Sequence, residues 1–334
     1  MRCSVRARCV IVPKGEGESA RKKLSEAGLL RSDLSIRSDS SRVLLPVLDG
    51  PYLEYPNGEE DFEPAAIKIK SYKEVAEVPE DLRASLPTSF DIIGDVAVFK
   101  LADELAPFAS AIGKAMLEAN RNLASAALDQ GVEGELRVRS LQVVAGRQST
   151  RTIHREYGIE LELDPALVYF SPRLANERWR IAQMVKPGER ILDMFCGVGP
   201  FSILIAKKAA PSTVACVDSN THAIEFLRAN IARNKVSNLS AHLGDARELA
   251  PKLGPADRII MNLPHSAHEF LPEALKAAAP DAWLHVYQVV DKNTEEHRAR
   301  ELEALAEGAT CWSWRLVHPY SPGSSVVAYD LKLQ

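Results

Sequence analysis

Apolar positions change their spacing between Arg190 and Ala206, and that change marks the stretch around which the chain is organised. Ile191 and Leu192 form the short continuous run of a parallel strand buried on both faces. Gly197 and Gly199 then allow a sharp turn that a ligand can approach without a Cβ in its way. Ile203, Leu204 and Ile205 continue as a helix packed back on the sheet. Strand patterns recur at 213–218, 242–245 and 257–262, with a helix over 223–234. A strand at 283–287, a helix over 292–307 and closing strands at 311–317 and 325–333 complete the half. This alternation from 186 onward predicts an α/β fold, a doubly wound parallel sheet with an antiparallel edge.

Upstream the pattern is shorter and more broken. A strand at 9–12, a helix over 19–27 stopped by Gly28, and a strand at 41–47 predict a small α/β unit over 1–50. Residues 50–65 hold three prolines, two glycines and five acids, a composition that predicts a linker over 51–65. A middle α+β segment over 66–168 comes next. Two strand pieces over 90–99 bend at Gly94, and helical periodicity over 102–127 is interrupted or started at Pro107. Residues 136–144 alternate as a strand, so Arg137 and Arg139 share one face. From 169 onward lies the ligand-binding half, opening with a helix that Ser171 caps at Pro172 and that runs through Val185.

Composition bounds the rest. The chain is 46% apolar and 26% charged, as a globular protein is, and its net charge of -4 excludes a generally basic nucleic-acid binder. A nucleic-acid role then needs a local patch, and 131–158 supplies one. Arg137, Arg139, Arg147, Arg151 and Arg155, with His154, stand against only Glu133, Glu135 and Glu156, and arginine binds phosphates and base edges bidentately. A solvated strand surface is the competing reading of the same residues. The basic residues of 1–50 (Arg2, Arg6, Arg8, Lys14, Arg21, Lys22, Lys23) meet phosphates or solvent equally well on charge alone. Five scattered cysteines without a CxxC pair argue against disulfides and zinc and for a reducing compartment. No signal-peptide or membrane-spanning run is present, so a cytoplasmic protein is expected, with no membrane partner and no metal.

The turn at Gly197–Gly199 is weak evidence alone, and the acids near it sharpen it. Asp193 ends the first strand where a carboxylate is expected to face the crevice, and Asp218 ends the next at the distance from which it can hold ribose hydroxyls. Asp245 lies where it can reach an adenine, and Asn262 ends the fourth strand beside Leu263-Pro264. The lysine of a phosphate-binding loop and the third glycine of a dinucleotide fingerprint are both absent. These residues favour S-adenosylmethionine over a nicotinamide cofactor.

Five motifs carry a resemblance: Glu135-Leu-Arg-Val-Arg139, Thr152-Ile-His-Arg-Glu-Tyr-Gly158, Val168-Tyr-Phe-Ser-Pro-Arg-Leu174 with Glu177-Arg178, Asp193 to Ser202, and Met261-Asn-Leu-Pro264 with Ala267-His268. In this order they resemble the archaeal and eukaryotic tRNA (guanine-N1)-methyltransferases that modify guanosine 37. The resemblance implies a Rossmann-like class I methyltransferase domain over 169–334. Before it would stand a small N-terminal domain that checks the outer corner of tRNA and a middle domain that grips the anticodon stem-loop. It implies catalytic roles for Arg137 at the target base, Glu177 as general base, Asn262 in positioning the base and Pro264 in shaping the pocket. It implies cofactor contacts from Tyr169, Arg178, Asp193, Phe195, Gly197 and Gly199, and from Asp218, Ser219, Asp245, Ala246 and Asn262. A monomer is expected. Cys196 stands where the family usually has alanine, and Tyr320-Ser-Pro-Gly323 has glycine where the family has a basic residue. Two rivals remain: aminocarboxypropyl transfer to a wyosine precursor, and a tRNA-binding protein without activity. Glu177 and Asn262-Leu-Pro264 speak against the first, and intact Asp218, Asp245, Glu177 and Asn262 against the second.

Overall fold

A computed structural model describes residues 4–48, 54–64, 71–134, 138–306 and 308–334, with the backbone alone described at Glu133. The chain divides into two compact units, 1–70 and 71–334.

In the first unit β1 (Val5–Pro13), β2 (Arg37–Ser38), β3 (Arg42–Pro46) and β4 (Asn57–Phe62) form an antiparallel sheet in the order β2-β3-β1-β4, and α1 (Gly17–Glu26) covers it. Alternation along β1 gives the sheet two apolar faces. Val10 and Val12 pack with Ala20 and Leu24 of α1, while Cys9 packs with Leu44 and Phe62. The expected linker is therefore only partly one, because residues 57–62 pair with β1 from Val5↔Phe62 to Val10↔Asn57. Its acids suit an exposed edge strand: Glu59 lies 3.7 Å from Arg6, and Glu60 lies 3.3 Å from Arg37.

The second unit opens with β5 (Asp91–Ile93), β6 (Val96–Phe99), β7 (Ser125–Glu133) and β8 (Val138–Gly146), a four-stranded sheet in sequence order. The predicted bend is a hairpin turn at Gly94, where φ is +57° and a Cβ would lie 2.1 Å from Thr152 Oγ1. The helix expected over 102–127 is only α2 (Ala109–Ala119). Residues 125–127 instead enter β7, between β6 and β8, where Ala126 and Ala127 are fully buried. Packing in the sheet overrides alanine's helical propensity there.

The hairpin of β9 (Thr152–Glu156) and β10 (Ile159–Leu163) lies in the segment expected to be part of the middle domain, but it packs against the C-terminal half of the chain. Ile159, Leu161 and Leu163 share an apolar cluster with Ile203, Val214 and Leu227. The seven-stranded sheet contains β11 (Arg190–Asp193), β12 (Thr213–Asp218), β13 (Leu239–Leu243), β14 (Ala256–Met261), β15 (Ala278–Asp291), β16 (Ala309–Ser321) and β17 (Ser324–Leu333). Their order is β13-β12-β11-β14-β15-β17-β16, parallel through β15 and antiparallel at β17 and β16. The helices are α3 (Ala175–Met184), α4 (Pro200–Lys208), α5 (Thr221–Asn234), α6 (Ala246–Leu253), α7 (Leu271–Ala277) and α8 (Glu295–Leu305). This is the expected doubly wound sheet, and it reverses at β11, where a crevice opens beyond the strand ends. Ser171 makes no side-chain cap; a 3-10 turn over Pro172–Leu174 leads into α3 instead.

Two side-chain amides on α5 act as a further strand along β10. Asn230 Oδ1 accepts from Glu162 N at 2.7 Å while its Nδ2 donates to Glu162 O at 3.0 Å and Val198 O at 3.2 Å. Asn234 repeats the exchange with Glu160, at 3.0 and 2.6 Å. Four residues of helix advance about 6 Å and two residues of strand slightly more, so the two spacings match. Asn230→Ala removes three hydrogen bonds to backbone groups of Glu162 and Val198 and is expected to lower stability by about 2–4 kcal/mol, read from the denaturant midpoint. A loss under about 0.5 kcal/mol would mean that apolar packing alone seats the hairpin.

Candidate functional site

The turn after β11 is built on two left-handed glycines, Gly197 at φ +53° and Gly199 at φ +85°. At Gly199 a Cβ would meet Leu227 Cδ1 at 2.4 Å, so this glycine brings α4 against α5. Asp218, at the end of β12, accepts from Gly197 N at 2.7 Å and from Asn220 N at 2.9 Å. Burial pushes the Asp218 carboxyl above its ordinary range, against backbone N–H groups of Asn220, Gly197 and Ser219 that favour its charge.

Beyond these strand ends lies a cavity of about 380 Å³. It gathers most of the expected site: Tyr169, Arg178, Phe195, Gly197, Asp218, Ser219, Asp245, Ala246, Asn262 and Pro264. Asp245 caps α6 by accepting from Arg247 N at 2.7 Å. Phe195 meets Phe270 edge-on with centroids 4.9 Å apart, and the Arg247 guanidinium lies over the other ring at 4.0 Å. Asn262 Oδ1 is buried and has no hydrogen-bond partner, an acceptor waiting for a donor from a ligand. Arg178 is wholly buried: Glu156 holds it through two 2.6 Å bonds, and its Nη1 donates to Ser171 O at 3.1 Å. Its side chain therefore fixes the Tyr169–Ser171 wall rather than standing free for a ligand.

Three expected residues do not line the cavity. Gly199 serves packing, as above. Asp193 turns under the loop, 1% exposed, where Ser202 Oγ donates to Oδ2 at 2.6 Å. Burial, with a smaller push from Asp218, raises its carboxyl to about 7 against the Ser202 hydroxyl and the Phe195 N–H. Glu177 sits behind Leu174 and Arg178, which do line the cavity, and is bound by Arg180 at 2.5–3.0 Å and by Tyr287 Oη at 2.9 Å. Arg137 lies outside the described residues.

The excess of arginine over 131–158 is matched by acids from other segments. Arg139 donates to Asp91 at 3.0 Å and is mostly buried, so it is a structural ion pair rather than a free contact. Arg147 chelates Asp95 at 2.9 and 3.0 Å, Arg151 binds Glu162 at 2.5 Å, and Arg155 binds Glu160 at 2.9 Å. Exposed pairs of this kind contribute little to stability. Arg147, Arg151 and Arg155 line one open groove of about 770 Å³ with His154 and Asn122. Sequence reasoning missed His318, His265 and Phe270 in the cavity wall. His265 packs edge-on against Tyr320, 5.2 Å between centroids. Only the pairing of β16 with β17 brings His318 and Tyr320 to the crevice, and no local pattern signals that.

Residues 9–52 match the model of the tRNA methyltransferase 5 N-terminal domain, 73–150 the TYW2 N-terminal domain, and 152–312 the TRM5/TYW2 methyltransferase domain. The tRNA (guanine(37)-N(1))-methyltransferase Trm5b of Pyrococcus abyssi is 46% identical over 330 residues, 97% of this chain and 98% of that protein. The chain belongs to the TRM5/TYW2 family. The crystal structure of the P. abyssi family member aligns with a TM-score of 0.74 at 40% identity, covering 98% of this chain and 99% of that one. A complex of aTrm5 with tRNALeu aligns with a TM-score of 0.80 at 32% identity over the same shares. A more distant TRM5/TYW2 member, the tRNA(Phe) (4-demethylwyosine(37)-C(7)) aminocarboxypropyltransferase of Pyrococcus horikoshii, is 36% identical over 64% of this chain and 76% of its own. As in the family, the cofactor is S-adenosylmethionine, and the cavity suits it: an acceptor at the end of β12, an aromatic wall and an acid at α6. Among the described residues no helix is long and apolar enough to cross a membrane.

Asp193 carries a pH signature. Its ordinary value is 3.8 and its folded value about 7, so across roughly pH 4–7 the folded state keeps a proton that the unfolded chain has lost. Stability from this group is present at low pH and falls as pH rises through that window, by about 1.4 kcal/mol per unit. Asp193→Asn should flatten the curve of unfolding free energy against pH. Parallel curves for the two proteins would show that Asp193 is ionised in the folded state.

Proposed function

We propose that the chain transfers the methyl group of S-adenosylmethionine to N1 of guanosine 37 in tRNA, giving 1-methylguanosine. The observation that carries this reading is the 46% identity with Trm5b along essentially both whole chains. Bound S-adenosylmethionine supplies the methyl group from its sulfonium, with Asp218 and Asp245 holding its nucleoside and Phe195 and Tyr169 its walls. Asn262 is the residue that meets the guanine. Its unpartnered Oδ1 accepts from the base edge, and its Nδ2 can donate to the same edge. Pro264, beside it, shapes the entrance.

Guanine N1 carries a proton and is a poor nucleophile until that proton leaves. Glu177 is the base in this reading, a role that contributes about 10²–10⁴ in rate. To reach the guanine its carboxylate must trade Arg180 or Tyr287 for the N1 proton. Arg137 then stabilises the charge that grows on O6. The guanosine has to leave the stack of the anticodon loop to enter the cavity. The groove of Arg147, Arg151 and Arg155 takes phosphates of the anticodon stem-loop, and the N-terminal unit reads the outer corner of the tRNA. The protein acts as a monomer in the cytoplasm.

Incubation with methyl-labelled cofactor and unmodified tRNA, with mass analysis of the nucleosides, should yield 1-methylguanosine at position 37. A mass gain of an aminocarboxypropyl group, or no modification, would overturn the proposal. Asp218→Ala should weaken cofactor binding about tenfold or more by calorimetry, as expected for a lost charge-assisted hydrogen bond of about 1.5–3 kcal/mol. Unchanged affinity would remove Asp218 from the nucleoside contact.

A further inference from the structure

Glu177 is the end of a cluster of polar and charged side chains drawn from α3, β14, β15, β16 and β17. Arg180 chelates Glu177 and also donates to both oxygens of Asp330, at 2.9 and 3.1 Å. His285 Nδ1 lies 2.6 Å from Asp330 Oδ1, and its Nε2 lies 2.7 Å from Arg258 Nη1. Arginine only donates, so Nε2 accepts and the imidazole is neutral with its proton on Nδ1. Burial pushes His285 below its ordinary range, in the same direction. Burial alone would raise Asp330, but His285 and Arg180 hold it well below the carboxylate range. A fixed anion thus stands one arginine away from Glu177.

Arg315, on β16, stands apart from the rest of the cluster. Its Nη2 donates to Asp330 Oδ2 at 3.2 Å, a bond that anchors the guanidinium. Its Nη1 is buried, makes no hydrogen bond, and stands 3.7 Å from Glu177 Oε1. That is ion-pair distance but too long for a hydrogen bond, and a buried donor is costly to leave unpaired. The same strand carries His318 and Tyr320 into the cavity wall. None of the family motifs that point to the active site includes Arg315.

We propose that Arg315 is a positioning residue for the chemical step: anchored to Asp330 by one amine, it offers the other to Glu177. When the guanine edge displaces Arg180 or Tyr287, Nη1 closes on Oε1 and keeps the carboxylate aimed at N1. This rests on the reading of Glu177 as the base. Arg315 acts through Glu177 and touches neither the methyl donor nor the methylated nitrogen.

The test is a double-variant cycle in single-turnover methyl transfer at saturating tRNA and cofactor, with Arg315→Ala, Arg315→Lys, Glu177→Gln and the Arg315→Ala/Glu177→Gln pair. Arg315→Ala should slow the chemical step about 10–100-fold, the scale of a misaimed catalytic group, with both dissociation constants within about twofold of wild type. Arg315→Lys should recover part of that loss. The double variant should be no slower than Glu177→Gln alone, because both changes remove one function. A double variant slowed by the full additional Arg315→Ala factor would overturn the proposal, and so would Arg315→Ala at the wild-type rate with Glu177→Gln slow. Glu177→Gln at the wild-type rate would instead overturn the base assignment, and this proposal with it. If Arg315→Ala does not fold, Arg315→Gln, which keeps a donor toward Asp330, carries the same comparison.

Discussion

The cavity depends on one carboxylate that is hydrogen-bonded by two loops at once. Asp218 accepts from Gly197 in the turn after β11 and from Asn220 at the start of α5. The parallel register pairs Asp193 with Cys216, so β12 runs two residues past the end of β11 and carries Asp218 alongside the turn that follows β11. Burial works against the charge that makes the tie, and only backbone N–H groups turned toward it offset that cost. The Gly197 N–H comes from a turn in which Gly197 and Gly199 adopt left-handed angles that other residues avoid, and the Ser219 and Asn220 N–H groups come from the loop after β12. The strand ends, the glycines and the acid therefore form one constraint. The nucleoside contact proposed for Asp218 would use a group that already serves the fold.

A second constraint stands behind the cavity, where Glu177, Arg180, Asp330, the neutral His285, Arg258 and Glu189 form one hydrogen-bonded chain. Buried charges are tolerable when each has an opposite partner and its remaining donors are used. Arg258 meets this by spreading its donors over Glu189, His285 and the Met184 carbonyl. The side chains come from strands far apart in sequence, so the cluster ties the antiparallel edge of the sheet to α3. The loop that carries Asn262 and the helix that carries Glu177 are thereby held to one frame.

Much of the site was legible in the sequence because its parts are local. A strand end, a glycine turn and an acid beyond it are short-range patterns, and Asp218, Gly197, Asp245 and Asn262 stand where those patterns put them. Asp193 departs from its expected place because periodicity shows that a residue ends a strand, not whether its carboxylate turns up to the crevice or down onto Ser202. Residues 125–127 read as helix because alanine favours one, and the neighbouring strands that bury them are invisible to a local window. The acids of 57–62 read as a linker because a charged edge strand and a solvated loop share a composition.

The sequence by itself determined the alternation of strand and helix, the glycine turn, the cofactor and the family. Only the tertiary structure decided which charges are free. Arg139 reads as a surface arginine until Asp91 arrives from β5, and Glu177 as an open base until Arg180, Tyr287 and Arg315 surround it. The physical reason is that hydrophobic periodicity reports which face of an element is buried. It carries no information on which distant element covers that face, and the electrostatics of a buried group depend on that neighbour.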